Sequence, residues 1–200
     1  QPHTARAERF RQLRGQLMLR WFDGDASRRA LAISSAAAGD GRSHVAANLA
    51  VALAQLGRPT LLIDADMRQP RQHLLFDVSN DTGLSQWLNG RCERPPIEQV
   101  AQIDKLALLP CGPVPPNPQE LLASPEFGAT IDGCAKVFDF ILLDTPPLNA
   151  CSDGLIVARR CGGALVVGRR NRSRVADLAT AVGWLREAGA MPVGTVLNGT

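Results

Sequence analysis

The residues best able to do chemistry fall in three short segments. The first, Ala36-Ala37-Ala38-Gly39-Asp40-Gly41-Arg42-Ser43, follows an apolar run and leads into a helical pattern. It has the layout of the phosphate-binding loop G-x-x-x-x-G-K-[ST], with Ala36 in the first Gly place and Arg42 in the Lys place. Small residues let backbone N–H groups wrap phosphate oxygens, the helix N-terminus adds partial positive charge, and the Ser43 hydroxyl suits Mg²⁺. The cation is altered, because lysine is a compact point charge and arginine a larger planar fork. Lys105 and Lys136 are the only lysines and neither is near the loop, so the phosphate cation is Arg42 or none. Taken alone, so degenerate a match equally describes a glycine-rich turn that caps a helix.

Two further segments end apolar runs in carboxylates. Leu61-Leu62-Ile63-Asp64-Ala65-Asp66-Met67-Arg68 carries a pair, and Phe140-Ile141-Leu142-Leu143-Asp144-Thr145-Pro146-Pro147 a single one. Ligands bind at the carboxyl ends of strands in open α/β sheets, so Ser43, Asp64, Asp66 and Asp144 are predicted to meet in one crevice. Oxygen ligands of this kind suit Mg²⁺, which takes one or two carboxylates, substrate phosphates and water. Any one Asp could be a turn former or a cap, but the three segments in this order read as a magnesium–nucleotide site.

The elements that must position these segments are short and nearly continuous in apolar residues: 30–34, 60–63, 106–109, 140–143, 164–167 and 193–197. Strands buried on both faces read this way, which predicts an α/β fold, a mostly parallel central sheet with helices on both faces. Helical patterns occupy 43–56, 126–137 and 175–188. Another is predicted over 4–22, where Phe10, Leu13, Leu17 and Trp21 form one stripe. The Pro-dense stretch 110–118 reads as a loop.

Composition sets bounds on the rest. Two hundred residues suffice for one core, and 45% apolar with 20% charged residues argues against disorder or a coiled coil. A net charge of +3 is too small for a nucleic-acid surface, although seven Arg crowd the first thirty residues. Five dispersed cysteines without a C-x-x-C read as reduced thiols of a cytoplasmic protein. No apolar run reaches membrane-span length, and a start on Gln1 allows for an upstream segment. Twenty of the 22 basic residues are Arg, and Tyr is absent.

These residues resemble the bacterial tyrosine kinases of exopolysaccharide biosynthesis, a branch of the MinD/ParA-like P-loop ATPases. The resemblance includes Glu8-x-x-Arg11-x-x-Arg14, the Walker A segment 39–43, the Walker A′ segment Asp64-x-Asp66-x-Arg68-x-Pro70 and the Walker B segment Asp144-x-Pro146-Pro147. Gly83-Leu84-Ser85, the stretch 115–122 and Val196-Leu197-Asn198 add to it. Within the family, residues 16–22 with Gly41-Arg42-Ser43 look most like the chain-length-determinant tyrosine kinases of EpsG type.

The resemblance implies ATP and Mg²⁺ as cofactors. Gly39, Asp40, Gly41, Arg42, Ser43 and His44 would line the nucleotide, with Arg42 on the β and γ phosphates and His44 as a helix-start residue rather than a metal ligand. Ser43 and Asp144 would hold Mg²⁺, Asp66 would assist, Asp64 would be the base for a tyrosyl hydroxyl, and Asn198 would contact adenine. Residues 1–22 would be an oligomerisation helix, with Glu8, Arg11 and Arg14 at a neighbour's site, and 23–200 the kinase domain. A homo-oligomer at the inner face of the membrane, partnered with a polysaccharide co-polymerase, is implied as well. With no Tyr here, the phosphorylated tyrosine must lie on another chain or on residues outside these two hundred. Arg42 leaves a second reading open, a nucleotide-sensing module with weak catalysis, since a misplaced donor costs about 3 kcal/mol of transition-state stabilisation. A MinD- or ParA-type positioning ATPase is the third, but the additional signature lysine of that branch is missing near Ala36.

Overall fold

The computed structural model describes residues 4–25 and 28–199. At its centre is a sheet of β1 (Ala30–Ser35), β2 (Thr60–Asp64), β3 (Glu98–Gln99), β4 (Leu106–Leu109), β5 (Phe140–Asp144), β6 (Gly163–Arg169) and β7 (Met191–Asn198). The strand order is β3-β4-β2-β5-β1-β6-β7. Every neighbouring pair is parallel except β3 with β4. All six strands expected from apolar runs are present, with ends displaced by at most about two residues. The short β3 is an addition, for its polar Glu98 and Gln99 sit on the sheet edge and carry no apolar pattern.

Alternate strand residues face opposite layers, which is why the runs are apolar throughout. Ala32, Ile63, Leu143 and Val166 join the core beneath α4 (Leu84–Leu88), α5 (Pro118–Ala123), α6 (Pro125–Cys134), α7 (Asp153–Cys161) and α8 (Val175–Glu187). Leu31, Ile33, Leu62, Leu142 and Val167 join a second core beneath α1 (Ala5–Leu17) and α2 (Arg42–Ala54). A short α3 (Gln72–Phe76) follows β2. The helices expected over 43–56, 126–137 and 175–188 are found as α2, α6 and α8. The Pro-dense loop ends at Pro118, which opens α5 at a position where a missing N–H costs nothing.

The helix expected over 4–22 is interrupted. Thr4 caps α1 by accepting from Ala7 N at 3.2 Å, but α1 stops at Leu17 and a π turn, Met18–Phe22, takes over, closed by Asp23 N to Met18 O at 2.9 Å. The wider turn lets two successive aromatic residues reach the core: Trp21 is 2% exposed and Phe22 8%. Phe22 meets Phe140 edge to face at 5.0 Å between centroids.

Along α1, Glu8 and Arg11 pair with each other at 2.8 Å on the exposed side. Arg14 turns inward, and its Nη1 donates to the Ala52 carbonyl at 2.7 Å. Ala52 lies in the last turn of α2, where carbonyls lack helical partners, so Arg14 satisfies a helix end within its own chain. Arg14→Ala is therefore expected to cost about 1 kcal/mol and to lower the melting temperature by about 3 °C. Arg11→Ala, which removes an exposed ion pair, should shift the same melting curve by less than about 1 °C.

Candidate functional site

The loop between β1 and α2 is braced from several sides. Asp40, 1% exposed, accepts Ala37 N at 3.2 Å through Oδ2 and the Ser173 hydroxyl at 2.7 Å through Oδ1. Asn198, at the end of β7, donates its amide to the Asp40 carbonyl at 3.1 Å, and Arg169 Nη1 donates to the Gly39 carbonyl at 3.3 Å. Asn198, expected at adenine, thus supports the loop backbone directly. Gly39 and Gly41 adopt φ of 84° and 85°, the left-handed region that favours glycine. A Cβ at Gly41 would also collide with the Asn198 amide. Gly41→Ala is expected to weaken ADP binding by about tenfold or more, measured by titration calorimetry, while circular dichroism stays native.

The strand ends bring Asp64, Asp66 and Asp144 together beside this loop. Asp64 pairs in register with Asp144 across β2 and β5. Both are completely buried, and Asp66 is 3% exposed. Asp64 Oδ2 accepts the backbone N–H groups of Arg71 and Gln72, each at 2.9 Å, and Oδ1 accepts Asp66 N at 3.3 Å. Burial, and then the charge of Asp144, push the Asp64 carboxyl well above the ordinary range. Asp64 lies behind the loop, whereas Asp66 lines the opening of the crevice. The Asp64 Oδ2 atom already holds the start of α3, so an incoming hydroxyl would meet Asp64 from its Oδ1 side. Burial pushes the Asp66 carboxyl up too, and the Arg42 guanidinium draws it back only in part.

Arg42, expected to point at phosphates, turns inward instead. Nη2 donates to Asp66 Oδ2 at 2.6 Å, Nε to Asp144 Oδ1 at 3.2 Å and Nη1 to Ser35 Oγ at 3.2 Å. The reason is charge. Three carboxylates share a dry corner of the sheet, and a planar fork can serve two of them and a hydroxyl at once.

Gln72 joins the site although no sequence signal singles it out. Its Nε2 donates to the Ser43 carbonyl at 3.0 Å and to Asp144 Oδ2 at 2.8 Å, tying the start of α2 to the end of β5. Its Oε1 is buried without a hydrogen-bond partner among the described residues. An orphan acceptor beside Ser43 and Asp144 fits a coordinated water of Mg²⁺. Only its place just beyond Pro70, at the start of a short helix, could have drawn notice. The pairing of Arg68 with Asp153 is likewise invisible in the sequence. Asp153 is fully buried, and Arg68 reaches it with bonds of 2.8 and 3.2 Å, fastening the 64–70 turn to the start of α7.

Together these groups border a crevice of about 470 Å³ lined by Gly39, Gly41, Arg42, Ser43, Asp66 and Pro147, within the range of small-ligand sites. His44 sits exposed on its rim, its imidazole pKa lowered by partial burial and by the charge of Arg6. Asp64, Asp66 and Asp144 with Ser43 form an all-oxygen donor set. Among the described residues no group of three or more His, Cys, Asp or Glu is arranged to hold a metal alone. Phosphate and water oxygens would have to complete the shell, which is the usual habit of Mg²⁺.

Comparison with known proteins gives the family and the fold. A family model described as "Cellulose biosynthesis protein BcsQ" matches residues 29–168. The tyrosine-protein kinase YwqD of Bacillus subtilis is 32% identical over 199 residues, covering 100% of this chain and 83% of that one. The kinase domain of the Escherichia coli tyrosine kinase ETK superposes with a TM-score of 0.91 at 32% identity, over 96% of this chain and 75% of that one. The MinD protein of Pyrococcus horikoshii, solved with Mg-ADP, gives 0.72 at 26% identity over 85% and 70%. With relatives of this similarity along its whole length, the chain belongs to the bacterial tyrosine-protein kinase family, within the MinD/ParA-like P-loop ATPases that the BcsQ model also describes.

Proposed function

We propose that the chain is an ATP-dependent protein-tyrosine kinase that regulates exopolysaccharide chain length together with a membrane polysaccharide co-polymerase. The observation that carries this reading is the meeting of the glycine loop, the Ser43 helix start and Asp66 in one crevice at the carboxyl edge of the sheet, with buried Asp144 bonded to Arg42 of its lining. Bound Mg-ATP would supply the transferable phosphoryl group, with its charge partly neutralised by the metal. Loop amides at 39–43 hold the phosphates, and Ser43 and Asp144 hold the metal directly or through water. Gln72 keeps Asp144 and the start of α2 in register. Asp66, on the crevice wall, would assist at the metal, and Asp64 remains the candidate base for an acceptor hydroxyl. His44 and Asn198 border the nucleotide, the latter by holding the loop.

The acceptor tyrosine lies on another chain or on residues outside these two hundred, since none of them is Tyr. Residues 1–22 serve assembly into a homo-oligomer through Glu8 and Arg11, with Arg14 fixing the helix to α2. Among the described residues no helix is long and apolar enough to cross a membrane, and attachment at the inner face would come through the partner. The narrower EpsG-type assignment rests on residues 16–22 and on Gly41-Arg42-Ser43.

The inward Arg42 favours one second reading, a nucleotide-sensing module of the same machinery with little turnover. Incubation with γ-labelled ATP, Mg²⁺ and a Glu/Tyr copolymer separates the two. Mg²⁺-dependent transfer to tyrosine is expected. Tight ATP binding without transfer would support the sensing module, and binding of no nucleotide would overturn both.

A further inference from the structure

The Arg42 side chain does something that the phosphate-loop reading does not need. Its guanidinium lies between Asp66 and Asp144, with three hydrogen bonds of 2.6 to 3.2 Å to Asp66, Asp144 and Ser35. The side chain is 10% exposed, and its two carboxylate partners are 4% and 0% exposed. Arg68, two residues from Asp66, is committed to Asp153. Asp64, a third acid, accepts backbone amides. Among the described residues Arg42 pairs with both Asp66 and Asp144, and these are carboxylates a divalent cation at the loop would use.

We propose that Arg42 is a built-in competitor of the divalent metal: guanidinium and Mg²⁺ exclude one another at Asp66 and Asp144, so metal enters only as Arg42 swings outward toward the phosphates. A lysine in this place would offer three donors on a single nitrogen and could not spread them over both carboxylates and Ser35 as the planar fork does. The fork makes the inward arrangement stronger and the exchange steeper. Binding of metal alone is then weak, and it is bound phosphate, which gives the displaced guanidinium a new bidentate partner, that licenses metal entry. The chain would take its metal and nucleotide cooperatively, and free Mg²⁺ would not hold the crevice by itself.

The inference rests on reading the crevice as a metal–nucleotide site, but metal binding without nucleotide tests it separately. Mn²⁺ affinity would be measured by electron paramagnetic resonance on the nucleotide-free protein, its Arg42→Lys variant and its Arg42→Met variant. Both variants are expected to bind Mn²⁺ about tenfold or more tightly than the parent, with Arg42→Met the tighter. Saturating ADP should raise Mn²⁺ affinity by a larger factor in the parent than in either variant. Arg42→Met leaves buried carboxylates uncompensated and could lose stability, so melting curves with and without Mn²⁺ provide a second readout. Its melting temperature should rise with Mn²⁺ by clearly more than the parent's. Equal Mn²⁺ affinities and equal Mn²⁺-induced melting shifts in all three proteins would overturn the proposal. Failure to bind ADP with the Mn²⁺ ranking intact would instead count against the kinase reading and leave the competition standing.

Discussion

Asp144→Asn is expected to lower tyrosine phosphorylation by at least about 10²-fold, the effect of removing one well-placed charge from a site that stabilises a transferring phosphoryl group. The fold should survive. The substituted side chain would keep an oxygen for Arg42 Nε, which now donates to Asp144 Oδ1 at 3.2 Å. Its new amide would face Gln72 Nε2, and a flip of the Gln72 amide that offers Oε1 instead gives up the bond to the Ser43 carbonyl. Asp64 would lose the neighbouring charge that helps push its carboxyl up. Relief at Asp64 only partly offsets the lost ionic partner of Arg42 and the broken Gln72 contact, so unfolding free energy is expected to fall by about 1–3 kcal/mol. Activity within about threefold of the parent's, measured at saturating Mg²⁺, would remove Asp144 from the metal site.

The largest stability effect is expected at Trp21. The indole is 2% exposed, its Nε1 donates to the Ala30 carbonyl at 3.1 Å, and Arg28 lies over the ring at 5.0 Å. The ring occupies the space that a side chain at position 163 would need, for a Cβ there would stand 2.5 Å from Trp21 Cη2. Trp21→Ala therefore opens a cavity between the π turn and β6 and orphans a carbonyl at the start of β1. A cost of about 4 kcal/mol is expected, a fall in melting temperature of roughly 12 °C. Trp21→Phe should recover more than half of it. A fall smaller than about 4 °C for Trp21→Ala would show that the 5–22 segment is only loosely joined to the sheet.

The strands are legible because each is buried on both faces, so that composition alone marks them: β1 sends Leu31 and Ile33 to one core and Ala32 to the other. The short helices α3 and α4, five residues each, are not legible, since so few residues show no period. Helix α7 is obscured for another reason. It makes the crossover between β5 and β6, which are not adjacent, but Gly154 and the paired Arg159 and Arg160 within it blur its apolar face. At the site, spacing is enough to put Asp64, Asp66 and Asp144 at the ends of β2 and β5 beside the loop that carries Ser43. It does not tell Asp64 from Asp66, because which carboxylate faces the opening depends on where Arg71 and Gln72 turn back to offer their N–H groups. Nor does it show which way Arg42 points, which is decided by the summed charge of carboxylates far from it along the chain.

Whether the crevice is the nucleotide site is tested most directly by a crystal structure of the protein with ADP and Mg²⁺. The β-phosphate is expected within hydrogen-bond distance of the backbone N–H groups of residues 39–43. The metal is expected on the Ser43 hydroxyl and, directly or through water, on Asp144, with Arg42 turned outward to the phosphate. A nucleotide bound elsewhere, or a metal seated at Asp66 and Asp144 with Arg42 still between them, would contradict this reading of the site.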